Sequence, residues 1–468
     1  DSIKYMGVGF VIGGVINTLT SAFLNIANNV MSFTGKSWYK WKFDLEVNPL
    51  LLGIGFIVGL DVSLTMFAGS ILSVFGITPL LGYFTEMAND GVMVWNNASL
   101  AVNQMTVADI SSSYVKYIGA GMMLCGGIIG AIKLIPTIIA SVKETAKARS
   151  SATKGDGSST QLLILLGGVI IGFIAAFIIS GSFLMAIIGA VLSFILSLLF
   201  VIVAGRLTRT IGTSNLPVSG MTIASLVIVT LVFVVMGWTS KVDNTSLLLF
   251  GSFIVVAIAI AGGYCQSQKV TYVIGGNKNE MQRYFTIASI VGVIVVVGVM
   301  VLLTDQLKIT GDNPPFALPQ ANLMSTLTSG IMSGELPWVM IVVGVFMAIV
   351  LYFLDLPIMT VAIGFYLPVA TTSIILVGAL IRVFVEKTAK SDKEKDVKVS
   401  NGISLSSGLV AGGSILGLIG IICQVTGIVG GNVPSGFAAG NGMAAVLLVV
   451  LIILTIIPIL KSKVKDSE

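Results

Sequence analysis

Four ionisable side chains interrupt long apolar runs in this 468-residue chain: Asp61, Lys133, Asp355 and Arg382, with Lys116 and Glu335 at run edges. A charge placed in hydrocarbon costs several kcal/mol, so each such residue is first a functional candidate. Asp61 lies between two Gly-rich apolar halves, in Gly59-Leu60-Asp61-Val62-Ser63, where a helix can break. Asp355 occupies a similar joint, Leu354-Asp355-Leu356-Pro357. Either carboxylate can couple protons; either can equally cap a helix start. Lys116, Lys133 and Arg382 stand near segment ends, where long side chains snorkel to the interface, and they read as anchors. A third kind of chemistry sits in Thr210-Ile211-Gly212-Thr213-Ser214-Asn215-Leu216-Pro217-Val218-Ser219-Gly220-Met221-Thr222. This polar turn feeds directly into an apolar helix, and free N–H groups at such a start favour carboxylates and other anions. The same pattern also describes a well-capped loop.

Several chemistries are excluded by residue type. There is no histidine, hence no Ser/His/Asp triad, no His-ligated metal and no imidazole proton relay. Cys125, Cys265 and Cys423 are far apart and form no CxxC pair, so neither zinc nor a disulfide framework is implied. No GxxxxGK[ST] phosphate loop occurs. No cofactor or metal site is expected, and no enzyme. The excess of basic side chains, +5 overall, resides in short loops between apolar runs, which fits lipid headgroups and not nucleic acid.

The elements that position these residues are membrane helices. Apolar residues make up 55% of the chain and charged ones 10%, against roughly 25% charged in soluble domains. Runs long enough to cross a bilayer fall near 6–27, 64–85, 114–141, 161–180, 182–204, 218–237, 245–264, 285–304, 337–353, 369–385, 403–423 and 443–460. The run 48–60 is too short to span alone and reads as half of a broken helix or a re-entrant piece. Basic loops at 142–160, 205–217, 265–284 and 386–402, with a basic tail, place those segments and the C-terminus in the cytoplasm. This orientation requires one further crossing, for which Pro319–Ser333 is the candidate. That stretch is too polar to face lipid, so it must be enclosed or line a cavity. Asn97-Ala98-Ser99 and Asn244-Thr245-Ser246 are glycosylation sequons in loops assigned to the outside.

The chain also repeats itself. Residues 53–75 align without gaps on 362–384, matching Ile54-Gly55-Phe56 to Ile363-Gly364-Phe365, Gly69 to Gly378 and Val74-Phe75 to Val383-Phe384. A second block matches Ala120-Gly121 to Ala411-Gly412 and Gly126 to Gly417. The organisation expected is a first transmembrane half over 1–142, a basic linker over 143–160, a second half over 161–460 and a tail over 461–468. The segment preceding the repeat is far longer in the second half, so equal halves imply that roughly 150 residues are absent from the front of the first.

With these segments in view, the chain resembles the oligopeptide transporter (OPT) family. TSNLPVSGMTI (213–223) is similar to the family's NPxSGMTI-type segment. NPLLLGIGFIVG (48–59), LPQANLM (318–324), LPW…VAIGFYLP (336–368) and YIGAGMMLCGG (117–127) agree with it in order. The NPG and KIPPR-type signatures of the fungal and plant peptide branch are absent, which places the resemblance with the prokaryotic and yellow-stripe-like branch. The apolar runs give an all-α polytopic membrane protein of about 12–13 transmembrane helices plus re-entrant or broken segments, and the resemblance implies a transporter built from two similar halves. It implies secondary, proton-coupled import of oligopeptides or peptide-like metal chelates across the cell membrane, with a homodimer as a compatible assembly. Ser214, Asn215, Ser219, Gly220, Gln320, Asn322 and Tyr366 are then the substrate-binding candidates, and Asp61 and Asp355 the proton carriers. The competing reading is a passive channel or a structural membrane subunit.

Overall fold

The computed structural model describes residues 2–463 except 22, 36–38, 88–104, 152–156, 212–215, 217, 310–317 and 335–336. The chain is an all-α polytopic membrane protein. Its helices are α1 (Ser2–Thr20), α2 (Pro49–Val58), α3 (Leu60–Ile71), α4 (Thr78–Met87), α5 (Val107–Ile110), α6 (Lys116–Ser151), α7 (Gly157–Ser180), α8 (Phe183–Ile211), α9 (Val218–Val235) and α10 (Lys241–Val273). They continue as α11 (Lys278–Leu302), α12 (Thr304–Leu307), α13 (Pro319–Ser333), α14 (Trp338–Phe353), α15 (Ile358–Tyr366), α16 (Val369–Thr388), α17 (Asp392–Val425) and α18 (Asn441–Leu460). π-helical turns at Leu72–Ile77 and Ser111–Val115 join α3 to α4 and α5 to α6. Eleven helical stretches among the described residues are long and apolar enough to cross a bilayer, with α2 and α14 as shorter apolar pieces. The 48–60 run is indeed half of a broken helix, and Pro319–Ser333 does form a helix. Part of the expected 143–160 linker is helical, because the Ala-, Lys- and Glu-rich sequence after Ile139 simply extends α6.

The helix starts follow from local chemistry. Ser240 and Asp243 form a capping box at α10, and Thr106 with Asp109 does so at α5. Asn48 caps α2 through Leu50 N at 3.1 Å, with Pro49 in the first turn, where its missing N–H costs nothing.

The chain forms two compact units, residues 1–119, 298–317 and 350–468 in the first, and 120–297 and 318–349 in the second. Each draws on both halves inferred from the repeat. In the first unit α17 lies along α1 and α2, while α16 lies against α2, α3 and the strand Lys42–Glu46. A hairpin of β1 (Val30–Thr34) and β2 (Lys42–Glu46) is the only sheet among the described residues. Its core holds Leu52, Phe56, Ile374, Ile381, Leu405, Leu409 and Leu451. In the second unit α8, α9 and α10 pack together, and α13 lies on α9 and α10.

Two pairs of close approaches within the first unit mirror each other. Gly55 has no room for a Cβ because the Ile375 carbonyl fills that space, and Gly364 is blocked in the same way by the Met66 carbonyl. Both partners shift together by 309 positions, 55 to 364 and 66 to 375. Gly69 against Val361 O is likewise mirrored by Gly378 against Leu52 O. Small residues at these points let helix backbones touch, which is how helices associate where lipid removes the hydrophobic drive. Ser70 Oγ strengthens the junction, donating to Gly364 O at 2.6 Å and accepting from Thr372 Oγ1 at 2.7 Å.

Asp355 has a structural task that its sequence context hid. It terminates α14 with φ +58, Asp355 N donating to Tyr352 O and Leu356 N to Leu351 O. These are the two bonds of a Schellman cap, a position where glycine is the unstrained residue. Asp355→Gly is therefore expected to stabilise the protein by about 1 kcal/mol, read as a higher midpoint of thermal unfolding in detergent. A lowered midpoint would mean that the carboxylate contributes more than the strain removes.

Candidate functional site

The second unit contains a cavity of about 490 Å³ between α9, α10 and α13. Its walls carry Val218, Ser219, Thr222 and Leu226 from α9, Leu248, Gly251, Ser252, Val255 and Val256 from α10, and Ala321 and Met324 from α13. Two of the segments singled out in the sequence, 213–223 and 318–324, thus meet across one space. Thr222 Oγ1 donates to Val218 O at 2.8 Å and Ser252 Oγ to Leu248 O at 2.9 Å. With their protons committed to the backbone, both hydroxyls keep lone pairs that can accept from a ligand N–H. Val218 and Ser219 belong to the first turn of α9, at the positive end of the helix dipole, with the Val218 N–H donating to Leu216 O at 2.8 Å. The described lining contains no ionisable side chain and is mostly aliphatic. It can accept donors at two points, attract a carboxylate at the α9 end and bury apolar groups in between.

The candidates divide as follows. Ser219 lines the cavity. Gly220 faces away from it, toward Gly127 O and Ala131 N of α6, where a Cβ would still fit at 3.5 and 3.9 Å. Gln320 lies in the first turn of α13, and Asn322 is an exposed residue of the same helix outside the lining. Ser214 and Asn215 lie outside the described residues. Tyr366 belongs to the first unit, at the end of α15, where its hydroxyl is buried without a hydrogen-bond partner and Lys116 Nζ stands 5.4 Å from its ring centre. Asn244 of the second sequon donates its amide N–H to Ser329 Oγ at 2.8 Å, and Asn97 lies outside the described residues.

The first unit holds the α2–α3 break, at Gly59 with φ +93. Asp61 is exposed in the first turn of α3, favourably placed for the helix dipole, while Gly59 occupies the cap position. Two charged residues here were not picked out as functional from the sequence. Arg382, read as an interfacial anchor, instead donates from Nη1 to Phe56 O at 3.2 Å and Ile57 O at 3.1 Å. Its Nε pairs with Glu386 Oε1 at 3.2 Å. Glu46, on the hairpin just before α2, has its carboxyl pushed above the usual range by burial, an effect partly offset by the Asn48 amide 3.4 Å away. Burial disfavours the charged form, so Glu46 holds a proton at milder acidity than a free carboxyl. The only sequence signal for Glu46 is its place two residues ahead of the capping Asn48.

Broken and π-interrupted apolar helices in the first unit, and a cavity between apolar helices in the second, belong to a polytopic helical membrane protein. The model of the family described as OPT oligopeptide transporter protein matches residues 2–424, and the chain belongs to that family. A Haemophilus influenzae protein named "Putative oligopeptide transporter" is 27% identical over 469 aligned positions, covering 90% of this chain and 72% of the relative.

Proposed function

We propose that this chain is a proton-coupled secondary importer of short peptides, with the α9–α10–α13 cavity as its solute site. The observation that carries the reading is the meeting of Ser219 and Thr222 with Ala321 and Met324 around one cavity free of ionisable lining among its described residues. Such a wall suits peptide N–H groups and apolar side chains. A metal chelate rich in carboxylates would meet no cationic side chain among the described lining residues, which favours peptides over chelates as the solute. Ser214, Asn215, Gln320 and Asn322 belong to the same two segments and are proposed to contact the solute at its ends; Tyr366 is proposed as a separate solute contact within the first unit. Basic loops point to a cytoplasmic C-terminus in the cell membrane.

Without histidine, coupling falls to carboxylates. Asp61 and Asp355 are carried forward from their joints, and Glu46 joins them because burial brings its titration nearer the pH range of a membrane proton gradient. Uptake of labelled tripeptides into proteoliposomes, acid outside, is expected to accumulate peptide above the external concentration. Glu46→Gln, Asp61→Asn and Asp355→Asn are each expected to weaken that accumulation while leaving peptide exchange, with the largest loss at Glu46. Equilibration without accumulation in the unaltered protein would favour the passive channel, and accumulation unchanged in the Glu46, Asp61 and Asp355 amide variants would end the carboxylate proposal.

A further inference from the structure

The α2–α3 break in the first unit leaves carbonyls at a half-helix end, and a charged side chain meets them there that has no counterpart at the corresponding position of the repeat. The last turn of a helix carries about half a negative charge, and unwound carbonyls at such ends are where carriers hold small hard cations. Here Phe56 O and Ile57 O point at a single nitrogen, Arg382 Nη1, at 3.2 and 3.1 Å. Glu386 Oε1 stands on the same guanidinium at 3.2 Å. Three oxygens, one of them anionic, therefore surround one fixed positive charge. Arginine stays protonated at any physiological pH, and its fork supplies donors in several directions at once. The guanidinium and Glu386 are both only partly exposed, with 24% and 29% of their side-chain surface accessible.

The repeat supplies the contrast. Moving from Arg382 back by 309 positions, the interval that relates Gly364 to Gly55, reaches Ser73, which carries no charge. The α15–α16 break, at Leu367 and Pro368, places Pro368 at the position that corresponds to Gly59. A cation is thus used at one of two similarly placed breaks, and it is used where the backbone turns through a positive φ at Gly59.

We propose that Arg382 is a built-in cation occupying an oxygen site that would otherwise take a sodium-like ion, so that the α2–α3 break is held without any bound metal. Ion-independence of this element follows, and so does its converse. Taking the guanidinium away leaves Phe56 O, Ile57 O and an uncompensated Glu386, an all-oxygen set of the kind that hard cations prefer. The inference goes beyond peptide transport, and its test reads stability, so its failure and the failure of the transport reading are separate results.

The full chain, purified in detergent, is heated in sodium chloride, potassium chloride or N-methylglucamine chloride at equal ionic strength, with tryptophan fluorescence as readout. The unaltered protein is expected to unfold at the same temperature in all three. Arg382→Ala is expected to unfold earlier in N-methylglucamine and to regain most of the loss, saturably, with sodium or with millimolar guanidinium, as binding to the folded state alone requires. Arg382→Lys, which keeps a charge on a different stem, should lie nearer the unaltered protein, and Arg382→Ala with Glu386→Gln should lose the cation response. Arg382→Gln serves the same comparison if the alanine variant fails to fold. A saturable sodium effect on the unaltered protein would overturn the proposal, as would an Arg382 variant that is destabilised but recovers with none of the cations, or one that is not destabilised at all.

Discussion

Gly55→Ala and Gly364→Ala are each expected to destabilise the protein severely, and Gly168→Ala is expected not to. At 55 and 364 an added Cβ overlaps a backbone carbonyl of the neighbouring helix, that of Ile375 and Met66 respectively. A flexible side chain could swing aside, but a carbonyl in a helix ladder cannot, so two backbones must separate. Overpacking of this kind costs typically about 1–3 kcal/mol, and the end of that range applies where main chain must move. Separation would also loosen Leu52 and Phe56, which are fully buried beside these contacts. At about 2–4 °C per kcal/mol, each variant should unfold several degrees earlier. Gly168, in α7, has nothing within 4 Å of its added Cβ, and alanine is the better helix former. Thermal unfolding of the three variants in one detergent decides the matter. Equal midpoints for Gly55→Ala and Gly168→Ala would mean that the α2–α16 approach is not a tight one in the protein. Because the two glycines mirror each other, similar losses are expected at both.

How far these features can be read from the chain alone depends on the range over which their physics acts. Spanning helices and the short 48–60 run follow from length and hydropathy, which are local properties, whereas the polar Pro319–Ser333 helix is singled out by the alternation of basic loops along the chain. The glycine blocks were visible because a repeat makes its own comparison. Asp355 was not legible, since the C′ position of a Schellman cap is marked by glycine or asparagine, and an acid in an apolar joint reads as a titrating group. Arg382 was misjudged because its partners are carbonyls, which have no sequence signature, and they lie more than three hundred residues away. Glu46 sits outside any apolar run, so nothing in its neighbourhood signals the burial that shifts its titration. Ser219 and Tyr366 are both motif residues, yet they belong to different compact units. Similarity to a motif marks a residue as shared, not which wall it stands on. Only packing separates Ser219, in the cavity, from Gly220, turned toward α6.

Ser252→Phe is expected to stop peptide uptake without harming the fold. Ser252 is on the cavity wall, and its hydroxyl bonds only to Leu248 O in its own helix turn, so no tertiary hydrogen bond is lost with it. The new ring needs room, and about 490 Å³ of open space adjoins the site. Filling apolar space with an aromatic group is favourable by itself, so the unfolding temperature should hold or rise slightly. The same ring excludes the solute. If it displaces even one apolar side chain of the peptide, roughly 1.5–3 kcal/mol of burial is lost, which corresponds to a tenfold or greater loss of affinity. Thr222→Val separates volume from polarity, since it keeps the shape of the wall and removes an acceptor of peptide N–H groups. Its effect should be smaller, about one hydrogen bond or roughly 0.5–1.5 kcal/mol, and should appear as a raised half-saturation concentration. Uptake of labelled peptide into proteoliposomes, with folded protein quantified in each preparation, measures both. Full uptake by Ser252→Phe would place the solute elsewhere than between α9, α10 and α13. Loss of uptake together with loss of folded protein in Ser252→Phe, but normal folding and reduced affinity in Thr222→Val, would still locate the solute on this wall, because the valine variant changes one acceptor and almost no volume.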